Sequence, residues 1–480
     1  MLSSELLSNY PPEVQIPAYA VSDVVAASGR TLVVLDDDPT GTQSVADLPV
    51  LTGWEVEDFR WALAQHAPAI YVLTNSRSLD PGHVGQCNRE VVTNALAAAG
   101  SAPLGFVSRS DSTLRGHYPL EPNIIAEVLE EVSGDHIDGV VIVPAFPEAG
   151  RVTIGGVHYV RGDGDVLTPV AETEFAQDAT FGFRNSELAK YVEEKSAGQF
   201  PASEVIALDL NTVRGGTGRI ADALVPARDS TPIVVDIVTE NDLRALALGL
   251  DEAERRGQKL LYRVGPPFVR ARIGQEPRPP LTAAEAYAGT LPASSGGLVV
   301  VGSHVGLTTR QLHRLTENHP LSRIVEIQVE NLLKDEKTAA AELDTAADTV
   351  VAGLAEGDVV VHTSRVLVKA GDPAESLRIA RTVSAAVVDV VQRTLARKPP
   401  RFVIAKGGIT SSDVARHGLQ IRHAMVRGPM LPGVVSLWEP VGGPAKGIPY
   451  VVFPGNVGND AGLLDVVRTL SSHPAPTGTL

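Results

Sequence analysis

Leu32-Val33-Val34-Leu35-Asp36-Asp37-Asp38-Pro39-Thr40-Gly41-Thr42 decides how this chain is read. Four apolar residues run into three carboxylates, then into a proline, two hydroxyls and a glycine. A short apolar run closed by turn residues is a buried strand that ends in a loop. In open α/β sheets, ligands gather beyond the carboxyl ends of such strands. Three adjacent carboxylates repel one another, so stability alone does not favour them there. They serve to hold a cation, to accept a proton or to bind sugar hydroxyls. The bland alternative is a solvated acidic turn. Asp-Asp-Asp-Pro-Thr-Gly at a strand end makes that the weaker reading.

Outward from this stretch the same rhythm recurs. Strands are predicted over 31–35, 69–74, 104–108 and 139–143, with helices over 81–100 and 120–132 between them. Pro81 suits a first helical turn. Such alternation predicts a mostly parallel sheet with helices on both faces. Residues 151–185 break it: 153–160 and 165–170 alternate around Gly162-Asp163-Gly164, which predicts a β-hairpin excursion. Strands over 205–208, 233–238 and 260–264 and a helix over 241–256 resume the pattern. Prolines, glycines and small residues over 274–296 mark a boundary. A second series follows, with strands over 298–301, 323–329, 358–363, 401–405 and 450–453 and a long helix around 374–396. Residues 428–441 read as loop and short strands. The fold class expected is α/β, with two α/β domains of mostly parallel sheets over 1–285 and 295–472, and the chemistry in a cleft between them.

The totals agree with two domains. The chain has 480 residues, 44% hydrophobic and 20% charged, ordinary for a soluble globular protein. A formal charge of −16 argues against nucleic acid or an anionic membrane as a general partner. The single cysteine, Cys87, excludes an intramolecular disulfide and reads as a packed helix residue. The first residues lack the basic start and apolar core of a signal peptide, and no apolar run is long enough to span a membrane. A cytoplasmic protein is expected, and a homodimer is left open.

Loops at strand ends carry the chemistry. In the first half, Asn75-Ser76-Arg77 and Arg109-Ser110-Asp111-Ser112-Thr113-Leu114-Arg115-Gly116-His117 follow strands, as the aspartate triplet does. Arg77 and Arg109 are expected to clamp an anion, with Asp37 and Asp38 facing the hydroxyl end of the same ligand. In the second half, Gly302-Ser303-His304-Val305-Gly306, Lys406-Gly407-Gly408-Ile409-Thr410-Ser411-Ser412-Asp413 and Pro454-Gly455-Asn456-Val457-Gly458-Asn459-Asp460 each join a strand to a helix. A lysine, free backbone donors and hydroxyls at a helix start are what a polyphosphate needs. The twelve histidines show no metal-ligand spacing, so no protein metal site is expected.

At these motifs the sequence resembles the four-carbon acid sugar kinase family, whose members phosphorylate 3-oxo-tetronates, threonate or erythronate with ATP. The matching segments are DDDPTGTQ (36–43), TNSRSL (74–79), RSDSTLRGHYPLE (109–121), PAFPEAGR (144–151), GSHVGLTT (302–309), AKGGITSSDVA (405–415), GPMLPGV (428–434) and VFPGNVGND (452–460). The resemblance implies a sugar-acid-binding N-terminal domain and a nucleotide-binding C-terminal domain, with ATP and Mg²⁺ as cofactors. It carries the acidic substrate contact to Asp37 or Asp38, which are the candidate catalytic residues. Other substrate contacts fall on Arg77, Arg109, Ser110, Asp111 and Ser112, and ATP contacts on Ser303, Gly407, Gly408, Ile409, Thr410 and Gly455, with Lys406 beside them. Arg109 stands where the family has lysine, and Val305 where a serine is usual. Two rival readings remain. One is a kinase of the ribokinase kind with Asp460 as base. The other is a sugar-acid sensor or a metal-dependent lyase built on Asp36, Asp37 and Asp38.

Overall fold

A computed structural model describes residues 2–287, 295–364 and 373–472. Part of the linker-like stretch, 288–294, lies outside the described residues. The chain divides into two compact units, Met1–Gly41 with Gly53–Pro277, and Thr42–Thr52 with Arg278–Leu480.

The first eleven strands in chain order are β1 (Thr31–Asp36), β2 (Leu48–Leu51), β3 (Ala69–Leu73), β4 (Leu104–Arg109), β5 (Gly139–Val143), β6 (Arg151–Ile154), β7 (Val157–Arg161), β8 (Leu167–Pro169), β9 (Ile206–Leu208), β10 (Thr231–Val235) and β11 (Leu260–Val264). All but β2 belong to the first unit. Its main sheet runs β3-β1-β4-β11-β5-β10-β9, and every neighbouring pair is parallel. All seven strands therefore deliver their carboxyl ends to one edge. Val33, Val34 and Leu35 are buried, as a strand covered on both faces requires. Asp80 caps the helix Pro81–Ala99 by accepting from the Gly82 and His83 backbone N–H groups, and Cys87 is buried on that helix.

The excursion is a separate antiparallel sheet, β6-β7-β8. The strand expected over 153–160 is in fact two, because Gly155 (φ +62°) and Gly156 (φ +74°) turn the chain back. Consecutive positive φ values are the geometry of a tight hairpin turn. Asp236 accepts both turn N–H groups, at 2.7 and 2.8 Å. Val152, Ile154, Tyr159 and Leu167 form this sheet's own core, against which Leu6, Leu7 and Tyr10 of the N-terminal arm pack.

In the second unit the strands are β12 (Leu298–Val301), β13 (Leu321–Ile327), β14 (Asp358–Thr363), β15 (Val403–Lys406), β16 (His423–Leu431), β17 (Val435–Pro440) and β18 (Tyr450–Phe453). The sheet order is β13-β14-β12-β15-β18-β17-β16-β2. It is parallel as far as β18 and antiparallel beyond. One sequence expectation is sharpened here and another is corrected. Residues 428–441, read as loop and short strands, are the end of β16, the turn at 432–434 and β17, which form one hairpin. Its register shifts between Val426 and Gly428 and between Pro429 and Leu431, which is how a strand accommodates glycine and proline. Residues 42–52, placed in the N-terminal domain, join the second unit instead. Their strand β2 pairs with β16, from His423 opposite Leu51 to Val426 opposite Leu48. Among the described residues no helix is long and apolar enough to cross a membrane.

Candidate functional site

At the carboxyl edge of the first unit, β1 lies between β3 and β4. Asp36, Asp37 and Asp38 therefore emerge between Arg77, which follows β3, and Arg109, which ends β4 in register with Asp36. The Asp36 side chain, 2% exposed, pairs with the Arg109 guanidinium. Asp37, 1% exposed, is held bidentately by Arg77, with Nη2 at 2.7 Å from Oδ1 and Nε at 3.1 Å from Oδ2. Asp38 is 21% exposed; its Oδ1 accepts from the Thr40 N–H at 2.9 Å and its Oδ2 lies 3.5 Å from Arg77 Nη1. The three carboxylates do not converge. Burial, then the neighbouring carboxylates, pushes Asp36 up to about 7 against the pull of Arg109. Asp38 is buried enough for desolvation to oppose its charge, yet Arg77 and Arg109 hold it below the usual carboxylate range. Of the three, Asp38 is the ionised group a ligand can reach.

Arg109 departs from expectation. It is 2% exposed, and its donors go to Asp36, the Asp38 carbonyl and, at 3.3 Å, the Ser110 carbonyl. A guanidinium so engaged is an internal strut, not half of an anion clamp. Arg77 retains partial exposure but is also fastened to Asp37.

Beyond β4, Ser110 and Ser112 are buried and Asp111 is partly exposed. Asp111 accepts from Arg115 Nε at 2.6 Å and from the Thr113 hydroxyl. Burial opposes its ionisation, but Arg77 and Arg115 draw it down to about 2. Residues that sequence reasoning passed over hold this loop in shape. His158 on β7 is buried; its Nε2 donates to the Ser112 carbonyl at 2.8 Å while Nδ1 accepts from the Thr153 hydroxyl at 2.9 Å. These bonds fix the neutral tautomer, and burial keeps its pKa down at about 4. Tyr191 donates to the Leu114 carbonyl at 2.9 Å. Glu121 joins the ends of β3 and β11 by accepting from Ser76 Oγ at 2.5 Å and from Arg263. Glu121 closes the RSDSTLRGHYPLE motif, so a signal for it was present. His158 stood on a strand with none. Asp111, Arg115, Tyr118, Tyr191 and Arg263, among others, line a narrow recess along this loop with a cavity of about 10 Å³, room for about one water.

In the second unit β12, β15 and β18 are neighbours and parallel, so their three outgoing loops share one edge. The loops approach closely. A Cβ on Gly455 would lie 2.6 Å from Ser303 Oγ, and one on Gly302 would collide with Thr410 Oγ1. Thr308 Oγ1 donates to the Gly455 carbonyl at 2.8 Å. Gly407 leaves β15 with φ +127° and donates to the Phe453 carbonyl at 2.8 Å. Gly408 opens the helix Gly408–Asp413, and Ile409 on its first turn is 60% exposed. Ser303, Gly407, Gly408, Ile409, Thr410 and Gly455 are thus brought together.

Lys406 is not presented with them. Its side chain is fully buried, with Nζ donating to the Pro454 carbonyl at 2.5 Å and lying 3.9 Å from the Phe453 ring centroid. The charge expected to meet a phosphate therefore braces the exit of β18. Burial lowers its pKa from 10.5 to about 7. Between those values the unfolded chain holds more protons, so stability rises with pH across that window. Urea unfolding should show the wild type gaining roughly 3 kcal/mol between pH 7 and 9.5 relative to Lys406→Met. Parallel pH profiles for the two proteins would refute this.

Among the described residues no three His, Cys, Asp or Glu side chains gather as a metal site.

Two family models match the chain and meet at the same linker, although the first runs through residues 42–52, which fold with the second unit. A family model described as a sugar-binding N-terminal domain matches residues 32–272, and one described as a nucleotide-binding C-terminal domain matches 298–463. The chain is 27% identical over 409 residues to D-erythronate kinase of Heliobacterium modesticaldum, covering 83% of this chain and 82% of that protein. It is 27% identical over 470 residues to D-threonate kinase of Cupriavidus necator, covering 94% and 95%. The crystal structure of Haemophilus influenzae protein HI1011 shares the fold, with a TM-score of 0.60 at 19% identity over 91% of this chain and 100% of that one.

Proposed function

Because the chain belongs to the four-carbon acid sugar kinase family, we propose that it transfers the γ-phosphoryl group of ATP to the terminal hydroxyl of a four-carbon acid sugar. D-erythronate and D-threonate, the acids named for two relatives, are the first candidates, followed by a 3-oxo-tetronate. One observation carries the reading: Asp38 is an ionised, partly exposed carboxylate at a strand end whose neighbours are held rigid by arginines.

Phosphoryl transfer asks little covalent chemistry of the protein and much positioning. Asp38 accepts the hydrogen bond of the attacking hydroxyl and takes its proton as the phosphoryl group moves. A carboxylate with a low pKa is a weak base, which suffices where bond breaking to the leaving group runs ahead of proton transfer. Asp37 keeps Arg77 in place, and Arg109 with Asp36 fixes the turn that aims Asp38. Asp111, with Ser110 and Ser112, contributes further contacts to the sugar hydroxyls. In the second unit the backbone N–H groups of Gly407, Gly408, Ile409 and Thr410, with Ser303 and Gly455, cradle the phosphates. Magnesium bound with ATP neutralises phosphate charge, and no described carboxylate cage competes with water for it. A cytoplasmic location, where ATP is plentiful, belongs to the same reading.

The test is ADP release by the purified chain across D-erythronate, D-threonate and their 3-oxo forms. Turnover that requires one of these acids is the expected result. Equal ADP release with and without each acid sinks the proposal.

A further inference from the structure

Five guanidinium groups stand on the carboxyl edge of the first unit's sheet or on the loops beyond it. Four are engaged: Arg77 with Asp37, Arg109 with Asp36, Arg115 with Asp111 and Arg263 with Glu121. Arg151 differs. Among the described residues it has no carboxylate partner. Its Nη1 donates to the Ala149 carbonyl at 2.6 Å, and its Nε is buried with no hydrogen-bond partner. A half-buried guanidinium left in this state is costly to the fold alone.

Its position is fixed. Arg151 opens β6 directly after the loop that leaves β5, and it exchanges both backbone hydrogen bonds with Phe146, at 2.8 and 3.0 Å. Its guanidinium carbon lies 5.8 Å from the centroid of the Phe175 ring, and that of Arg115 lies 5.3 Å from the same centroid. Beyond Asp111, the nearest carboxylate to Arg115 is Asp178, 3.8 Å from Nη1. Two cations drawn to one ring repel each other, and an anion between or beside them relieves both. Burial first, and then Arg115, holds the Arg151 guanidinium below its ordinary range, while the carboxylates of Asp111 and Glu174, neither of them in ion-pair contact with it, oppose this.

The sequence of neighbouring charges also gives the site a polarity. Asp38 touches Arg77, the Arg77 charge acts on Asp111, and Asp111 is bound by Arg115. One end of this chain is a carboxylate suited to a hydroxyl. The other is a pair of guanidiniums, one of them unpaired. An acid sugar has the same polarity, with its terminal hydroxyl at one end and its carboxylate at the other. We propose that Arg151, with Arg115 beside the same ring, is the receptor for the carboxylate of the acid sugar, an assignment that rests on the kinase reading above. Arg151 then distinguishes an acid from the neutral polyol of equal length, the task the sequence had given to Arg77 and Arg109.

Steady-state kinetics of the full chain with ATP tests this, using the acid the wild type turns over best and the matching four-carbon polyol as substrate or competitive inhibitor. Arg151→Met should raise KM for the acid roughly 10- to 100-fold, the value of a hydrogen-bonded charge, with kcat little changed. The preference for acid over polyol should narrow by the same factor. Arg151→Lys keeps the charge, loses the fork and should fall between the two. Should Arg151→Met lose its thermal transition, Arg151→Lys and Arg115→Lys give the same readout. An acid KM within about threefold of wild type in folded Arg151→Met, or in both lysine variants where that protein does not fold, overturns the assignment. So does an equal loss for acid and polyol, since that marks a structural residue. A wild type that phosphorylates no four-carbon acid overturns the kinase reading itself, and this assignment with it.

Discussion

Asp38→Asn should lower kcat for the sugar acid by about 10²- to 10⁴-fold, the usual contribution of a positioned general base. The argument rests on exposure. Asp36 and Asp37 are 2% and 1% exposed and hold arginines, whereas Asp38 is 21% exposed. The amide of Asn keeps an oxygen for the Thr40 N–H, so the turn survives and the melting temperature should stay close to wild type. Asp37→Asn is a different experiment, because it breaks the bidentate pair with Arg77 and lowers stability and activity together. Kinetics and melting curves of the two variants separate chemistry from scaffold. Asp460 is the useful counterpart. Its side chain is 58% exposed and pairs with Arg310 at 2.9 Å. Full activity in Asp38→Asn together with an inactive Asp460→Asn that still binds ATP would move the base to a ribokinase-like arrangement.

Arg109→Met should destabilise the protein by about 3–5 kcal/mol, the range for removing one partner of a buried ion pair. Arg109 is the compensating charge for Asp36 and lies 3.4 Å from an oxygen of Asp37. The loss should depend on pH. The pKa of Asp36 is raised to about 7 in the folded protein, from an ordinary value of 3.8. Between those values the folded state holds more protons, so this group's contribution falls as pH rises. Without Arg109 the penalty is therefore larger at pH 8 than at pH 5. Adding Asp36→Asn should recover part of the loss, and a double-mutant cycle measures how much. Urea unfolding at both pH values decides the matter. A loss under about 1 kcal/mol, typical of an exposed ion pair, or one independent of pH, would show that the pair is not the strut described.

Much of the architecture could be read from the sequence because parallel sheets announce themselves. Runs such as Leu32–Leu35 and Leu298–Val301 are apolar throughout, as strands covered on both faces must be, and the loops that follow carry the polar load. The strand ends gathered at each edge could be read for the same reason. What could not be read was direction. Arg109 and Lys406 have the composition of ligand-binding residues, but each points into the protein, to Asp36 and to the Pro454 carbonyl respectively. A sequence shows that a charge is present at a loop and does not show which way the side chain turns. Arg151 was hidden for a related reason. It sits in a matched motif, PAFPEAGR, but only the engagement of the other four guanidiniums sets it apart. The placement of 42–52 was also beyond reach, since nothing local distinguishes a strand that pairs with its sequence neighbours from one that pairs with β16.

That short strand has a consequence for how the protein can be made and inherited. Because residues 42–52 fold with the second unit, the polypeptide passes between the two units three times, near 41–42, 52–53 and 277–278. A gene cut at the obvious boundary yields two damaged halves. The C-terminal product lacks its last strand and leaves the β16 margin unpaired, the kind of edge that recruits other chains. The N-terminal product carries an orphaned hydrophobic segment, Leu48–Leu51, that is buried in the intact protein. Fusion, splitting and recombination of such a chain are thereby constrained. The sugar-binding and nucleotide-binding portions travel as one heritable piece, and neither can be exchanged for another module by a single crossover at the linker.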